Sequence, residues 1–265
     1  MSESKAWQLK IFNKTLKKKE KLAIIRRLLP DLNDAVCLDL GCARGTISYF
    51  LRKEGGRWIH EDLDVVNVQV TKDLVGDGAV VIPPDGLPHP DDTFDVIVSL
   101  DILEHLHGDH HFVREMTRVL KPGGVLILST PATGPLYLVN HMKNVVGLTP
   151  DQYGHVVEGY TLPQLKTMLT SAGLKVEEST TYSRFFTELV EFLINLVFVK
   201  LLRKKKTDKR DGHISPGSEA EVKKYRKQLR MYSIIYPFIW LFTRLDWVLK
   251  IVGIPGYATL LIARK

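Results

Sequence analysis

The feature that most constrains this chain is a short apolar run that ends in a glycine turn. Residues 35–40 read AVCLDL, the turn is Gly41-Cys42-Ala43-Arg44-Gly45, and a helix-forming stretch, TISYFLRKEG, follows up to Gly55-Gly56. A run apolar on both faces, leading straight into a crossover helix, is the pattern of a buried parallel strand. The alternation then repeats. Strands are expected at 57–63, 79–83, 94–100, 125–131, 174–183 and 257–264, and helices at 65–75, 110–120 and 161–173. The last helix has Thr161 as cap, Pro163 in its first turn and Gly173 as stop. The helix at 110–120 is expected to close at Lys121-Pro122-Gly123-Gly124, and residues from 132 to about 160 read as loop. Strands alternating with helices give an α/β doubly wound parallel sheet.

Three segments follow from this reading. Residues 1–30 are a basic amphipathic helical segment, in one helix or two. Residues 31–183 together with 257–265 form the α/β domain. Residues 184–256 are a helical insert before the last strand, with a bend expected at Pro237. Charge follows the same division. The net +7 resolves into +7 for residues 1–30, −11 for 31–199, +8 for 200–230 and +3 for 231–265. An acidic body with basic appendages points to an anionic partner. Two cysteines, Cys37 and Cys42, exclude a disulfide framework. The opening MSESKAWQLK has no apolar core of a secretory signal, so a cytoplasmic location is expected.

A strand, a tight glycine turn and a helix N-terminus bring backbone close to a nucleotide-like ligand. Asp62 stands 21 residues after Gly41, where a carboxylate can accept from both ribose hydroxyls. This much also fits an NAD-binding domain, although Thr46 occupies the position where that fingerprint has its last small residue. Ala43 is costly only if the turn needs a positive φ there.

Four further stretches carry a resemblance. Asp39-Leu40-Gly41, the run from Leu87-Pro88 to Phe94-Asp95, Leu103-Glu104-His105, and Arg118-Val119-Leu120-Lys121-Pro122-Gly123-Gly124 occur in order across residues 33–130. They resemble the signatures of class I S-adenosylmethionine-dependent methyltransferases. The stretch from Gly154-His155 through Gly159-Tyr160 to Gly173-Leu174 is similar to small-molecule members of the type 11-like group. The resemblance implies a Rossmann-like seven-stranded sheet of order 3-2-1-4-5-7-6 with the last strand antiparallel. It also implies S-adenosylmethionine as cofactor, S-adenosylhomocysteine as product, and no metal. Carried over residue by residue, Asp39 orders the loop near the methionine amino group, and Gly41, Ala43 and Gly45 line the methionine portion. Asp62 takes the ribose, Asp85 and Gly86 lie near the adenine, and Ser99 and Asp101 face the sulfonium.

Transfer to a hydroxyl needs a base, and His155, His105 and Glu158 are the candidates. The H-x-x-H-H spacing of His107, His110 and His111 suits no helix-face metal pair. In the insert, residues 185–202 are apolar around most of the helix, with Glu188, Glu191 and Asn195 forming one narrow polar stripe. Such a helix must be buried in protein or lipid. Tyr232, Tyr236, Trp240 and Trp247, flanked by Arg203–Lys206 and Lys223–Arg230, suit a membrane interface. The insert is therefore expected to be a lid, a homodimer interface or a peripheral anchor at the inner face of a membrane. The expected partners are a small-molecule or lipid acceptor and an anionic membrane surface, rather than nucleic acid. An RNA methyltransferase and a non-catalytic interaction protein are the rival readings.

Overall fold

A computed structural model of the chain describes residues 6–83, 86–150, 154–197 and 218–265. Asp85, the Arg203–Lys206 cluster and the end of the first insert helix lie outside the described residues. Seven strands form one sheet: β1 (Val36–Leu40), β2 (Arg57–Asp62), β3 (Ala79–Val81), β4 (Phe94–Leu100), β5 (Leu120–Pro131), β6 (Lys175–Tyr182) and β7 (Ala258–Arg264). Their order is β3-β2-β1-β4-β5-β7-β6, with β7 antiparallel to both neighbours. Chain order reverses between β1 and β4, and such a switch point opens a crevice at the carboxyl ends of the strands.

Alternation along the strands divides the core into two layers. Ile97, Leu126 and Leu128 face α5 (Asp109–Val119) and α7 (Leu162–Ser171), whose Val113, Met116, Leu165 and Leu169 complete that side. Val96, Val98, Leu100 and Ile127 face α2 (Leu16–Leu28) and α3 (Thr46–Lys53), through Ile25, Leu28 and Leu51. A capping box starts α7, with Thr161 and Gln164 exchanging side-chain and backbone hydrogen bonds. The remaining sheet helix, α4 (Val65–Val75), starts at Asp64, whose carboxylate accepts from Val66 N at 2.7 Å.

The N-terminal segment, expected as one helix or two, is two, α1 (Trp7–Phe12) and α2, within what the sequence allowed. Several elements depart from the sequence reading. Residues 121–124 do not form a turn but extend β5 from Leu120. A further helix, α6 (Leu138–Val145), occupies what reads as loop. Its Val139 and Met142 pack on Phe185, Leu189 and Phe192 of α8 (Phe185–Leu196), so the helix is stabilised by a partner 50 residues away. The insert continues as α9 (Glu219–Lys224), α10 (Arg226–Thr243) and α11 (Asp246–Ile251). Here α10 runs through Pro237, and the interruption falls at Arg244-Leu245. Among the described residues, no helix is long and apolar enough to cross a membrane.

Candidate active site

The turn after β1 is built for close approach. Gly41 has φ +79°, and a Cβ there would lie 2.7 Å from the Leu100 carbonyl oxygen, so only glycine fits. Ala43 takes φ +48°, the left-handed region that costs an L-residue about 1–2 kcal/mol. Asp62 holds the turn in that shape. Its Oδ2 accepts from Ala43 N at 2.8 Å, and its Oδ1 accepts from Asp64 N at 2.9 Å and Asn67 Nδ2 at 3.0 Å. Burial raises the Asp62 pKa above the ordinary carboxylate value, against the pull of these bonds.

Asp39 is buried at the end of β1. Its Oδ2 accepts from Ser48 Oγ at 2.6 Å and meets His60 Nδ1 at 2.9 Å. Its Oδ1 has no partner among the described residues. Asp39, Gly41, Ala43 and Asp62 line one cavity of about 560 Å³, which runs on past Asp101, His105, His155 and Glu158 to α2, α6 and α8. That volume lies within the usual range for small-ligand sites.

Three expected site residues stand elsewhere. Ser99 shares strand parity with Ile97, so its buried side chain points into the α5/α7 layer instead of the cavity. Gly45, at φ +74°, begins α3 and is turned against Thr71, which a Cβ would meet at 3.0 Å. Gly86 faces the Glu115 carboxylate at 2.8 Å from its would-be Cβ. None of the three contributes to the cavity wall. The neighbouring signature residues are structural. Arg118 donates to the Leu87 and His89 carbonyls and to Asp91 and Glu115, tying the proline-rich run to α5.

Residues 38–128 match the family model described as "Methyltransferase domain". A ubiquinone biosynthesis O-methyltransferase of Parvibaculum lavamentivorans is 22% identical over 165 residues, which cover 59% of this chain and 65% of that protein. The ubiquinone/menaquinone biosynthesis C-methyltransferase UbiE of Vibrio vulnificus is 30% identical over 171 residues, covering 55% and 65%. The chain thus spans just under two thirds of each relative. An S-adenosylmethionine-dependent methyltransferase of Mesorhizobium loti superposes with a TM-score of 0.55 at 16% identity, over 92% of this chain and 96% of that one. Residues 38–128 are thus similar to a methyltransferase domain, and the chain shares the Rossmann-like fold of class I S-adenosylmethionine-dependent methyltransferases.

The far side of the cavity is ionic. Asp101, at φ +50°, pairs with Lys21 and accepts from Ser129 Oγ at 3.1 Å. Burial works against its charge, yet Lys21 and Lys17 outweigh it and hold the carboxyl below its ordinary pKa. Glu104 is buried, and one oxygen, Oε2, lacks a partner among the described residues. Burial, and then the Asp101 charge, push its pKa well up. The Glu104 carbonyl accepts from Val156 N at 2.7 Å and Val157 N at 3.1 Å, and His105 Nδ1 meets Gly154 O at 3.0 Å. These bonds fold the 154–158 loop over β4 and set the His105 and His155 rings edge to face at 4.8 Å. Burial, and then His105, lower the His155 pKa to about 4. The imidazole is neutral at pH 7 and can accept a proton. Glu104, His105 and His155 bring ligand atoms within 4.8 Å of one another, the one such trio among the described residues. His107, His110 and His111 take no part in it.

The sequence reading allowed a lid but named none of the residues that roof the cavity as site residues. Lys17, Lys18 and Lys21 of α2, Lys143 of α6, and the Glu188, Glu191 and Asn195 stripe of α8 all line the cavity. Glu188 pairs with Lys17 at 3.1 Å and Lys143 at 2.5 Å and accepts from Ser183 Oγ at 2.8 Å. Burial opposes its charge, but the two lysines bring its pKa down to about 2. The polar stripe itself was the available signal, because three polar residues on one face of an apolar helix need a polar surface to meet.

Proposed function

We propose that this chain transfers the methyl group of S-adenosylmethionine to a small phenol- or hydroquinone-like acceptor. One observation carries the reading. A single cavity joins the glycine turn, where the cofactor fits, to the His105–His155 wall, where an acceptor would meet a proton acceptor. When bound, S-adenosylmethionine supplies a methyl group on a cationic sulfur and leaves as S-adenosylhomocysteine. The unpartnered Asp39 oxygen suits an amino-acid ammonium, and the Gly41 backbone admits a close neighbour. Asp62 presents a carboxylate edge for a diol beside the turn it braces.

On the acceptor side, His155 takes the proton of the attacking hydroxyl. An imidazole with a pKa of about 4 is a weak base and suits an acidic hydroxyl, a phenol over an alkyl alcohol. Relatives named for ubiquinone and menaquinone biosynthesis support quinol-like acceptors as the first to try. The cavity lining holds eight acidic against five basic side chains, which does not favour a polyanion such as RNA.

Calorimetric titration with S-adenosylmethionine, with methyl transfer to catechols and hydroquinones followed by mass spectrometry, tests the reading. The expected result is cofactor binding that Asp62→Ala abolishes, together with a singly methylated phenol. A wild-type chain that binds no cofactor overturns it, as does methylation of RNA in preference to every phenol.

A further inference from the structure

The helix α10 is amphipathic in the inverted sense. Met231, Ile234, Ile235, Phe238, Leu241 and Phe242 recur at i, i+3, i+4, i+7, i+10 and i+11, the stripe that a surface helix normally turns toward its core. Here that stripe faces outward, with Ile234 69% and Phe238 73% exposed. The opposite face carries the hydroxyls and meets the protein. Tyr232 Oη donates to Lys14 O at 3.0 Å, Lys14 bonds Ser233, and Lys19 Nζ donates to Tyr236 Oη at 3.2 Å. The apolar face continues onto α11, where Trp247 is 67% exposed beside Val248 and Ile251. A surface this apolar and continuous marks contact with another apolar phase.

Charge indicates which phase. Between Arg226 and Ile254 there are five cations, Arg226, Lys227, Arg230, Arg244 and Lys250, and one acid, Asp246. The acid is turned inward, accepting from Phe186 N at 2.8 Å and Thr187 N at 2.9 Å, so it caps α8. The cations are exposed and bracket the stripe at both ends. A second copy packed on this face by a two-fold axis would set like charges against each other. An anionic lipid surface meets both properties, hydrocarbon for the stripe and phosphate for the rim.

We propose that α10 and α11 lie in the plane of an anionic bilayer surface and dock the chain there. Trp247, 67% exposed, sits at headgroup depth, and the exposed Arg244 and Lys250 reach the phosphates. The docked face connects to the cavity, because Lys14 and Lys19 hold α10 against the segment that supplies Lys17, Lys18 and Lys21. The proposal goes beyond methyl transfer and stands without it.

Flotation of the full chain with vesicles tests it, using zwitterionic phospholipid alone and the same lipid with about 30% anionic phospholipid. Binding is expected to the anionic vesicles and to weaken with salt. The triple variant Phe238→Ser, Leu241→Ser, Trp247→Ser is expected to lower partitioning at least about tenfold. Arg230→Gln and Lys250→Gln should each lower it about fivefold on anionic vesicles only. Circular dichroism and S-adenosylmethionine titration monitor the fold of each variant. Vesicle binding without cofactor binding would count against methyl transfer alone. Three results overturn the docking: a wild-type chain that stays unbound at low salt, serine variants that bind as well as wild type, or a dimer that the serines dissolve in a chain that ignores vesicles.

Discussion

At the scale of residues, Asp62 and Ala43 are a coupled pair. The carboxylate accepts the amide of an alanine held at positive φ, so turn geometry and ligand edge depend on one side chain. Ala43→Gly is expected to stabilise the fold by about 1 kcal/mol or less, since relief of the left-handed alanine outweighs the added freedom of the unfolded chain. Chemical denaturation reads this out. His155 gives a pH prediction. Its unfolded-state pKa is the ordinary 6.5, and its native value is about 4. The unfolded chain therefore takes up the proton first, and native stability falls as pH drops from about 6.5 toward 4. In His155→Gln that loss should shrink, and the variant should gain on wild type across this window. Catalysis should keep its deprotonated base below pH 6, where an unperturbed histidine would already be charged. A kcat profile that falls with a midpoint near 6.5 would remove His155 from the role.

At the scale of elements, Glu188 links α8 to α2 and α6. With a native pKa of about 2 against an ordinary 4.5, its contribution is complete above the ordinary value and is lost as pH falls toward 2. Glu188→Gln leaves two lysines facing a neutral amide and should cost roughly 3 kcal/mol at pH 7, measurable by denaturant unfolding. Gly159→Ala probes the loop that carries His155. A Cβ there would lie 2.6 Å from the Pro131 carbonyl oxygen at φ +155°, so the loop must shift. Its expected effect is a drop in kcat larger than the rise in the cofactor's Kd. The strands, α4 and α7 were legible in the sequence because period and caps are local signals, whereas strand order came with the family resemblance. The helix α6 was not. It is a two-turn element between glycines, and it is held by α8, a contact no local window contains.

At the scale of the whole molecule, ligand binding and folding are linked. S-adenosylmethionine at 100 times its Kd should add about 2.7 kcal/mol, which raises the melting temperature by roughly 5–10 °C for a domain of this size. Thermal-shift measurement checks this, and Asp62→Ala should show no such rise. The distribution of charge belongs to this scale as well. In the sequence the N-terminal lysines read as a patch for an anionic partner. Folding turns Lys17 and Lys21 inward onto Glu188 and Asp101, so these two are spent on the cavity. Outward cations include those that flank α10 and α11.

The amino-acid order was sufficient for the parallel sheet, the glycine turn with Asp39 and Asp62, and the apolar character of the insert, since each is written in neighbours a few residues apart. It could not say that Ser99 points away from the cavity, that the stripe of α8 meets lysines of α2 and α6, or that α10 turns its hydrocarbon outward. Those depend on side chains far apart in the chain finding complementary charge and volume, and such pairings exist only once the layers have packed.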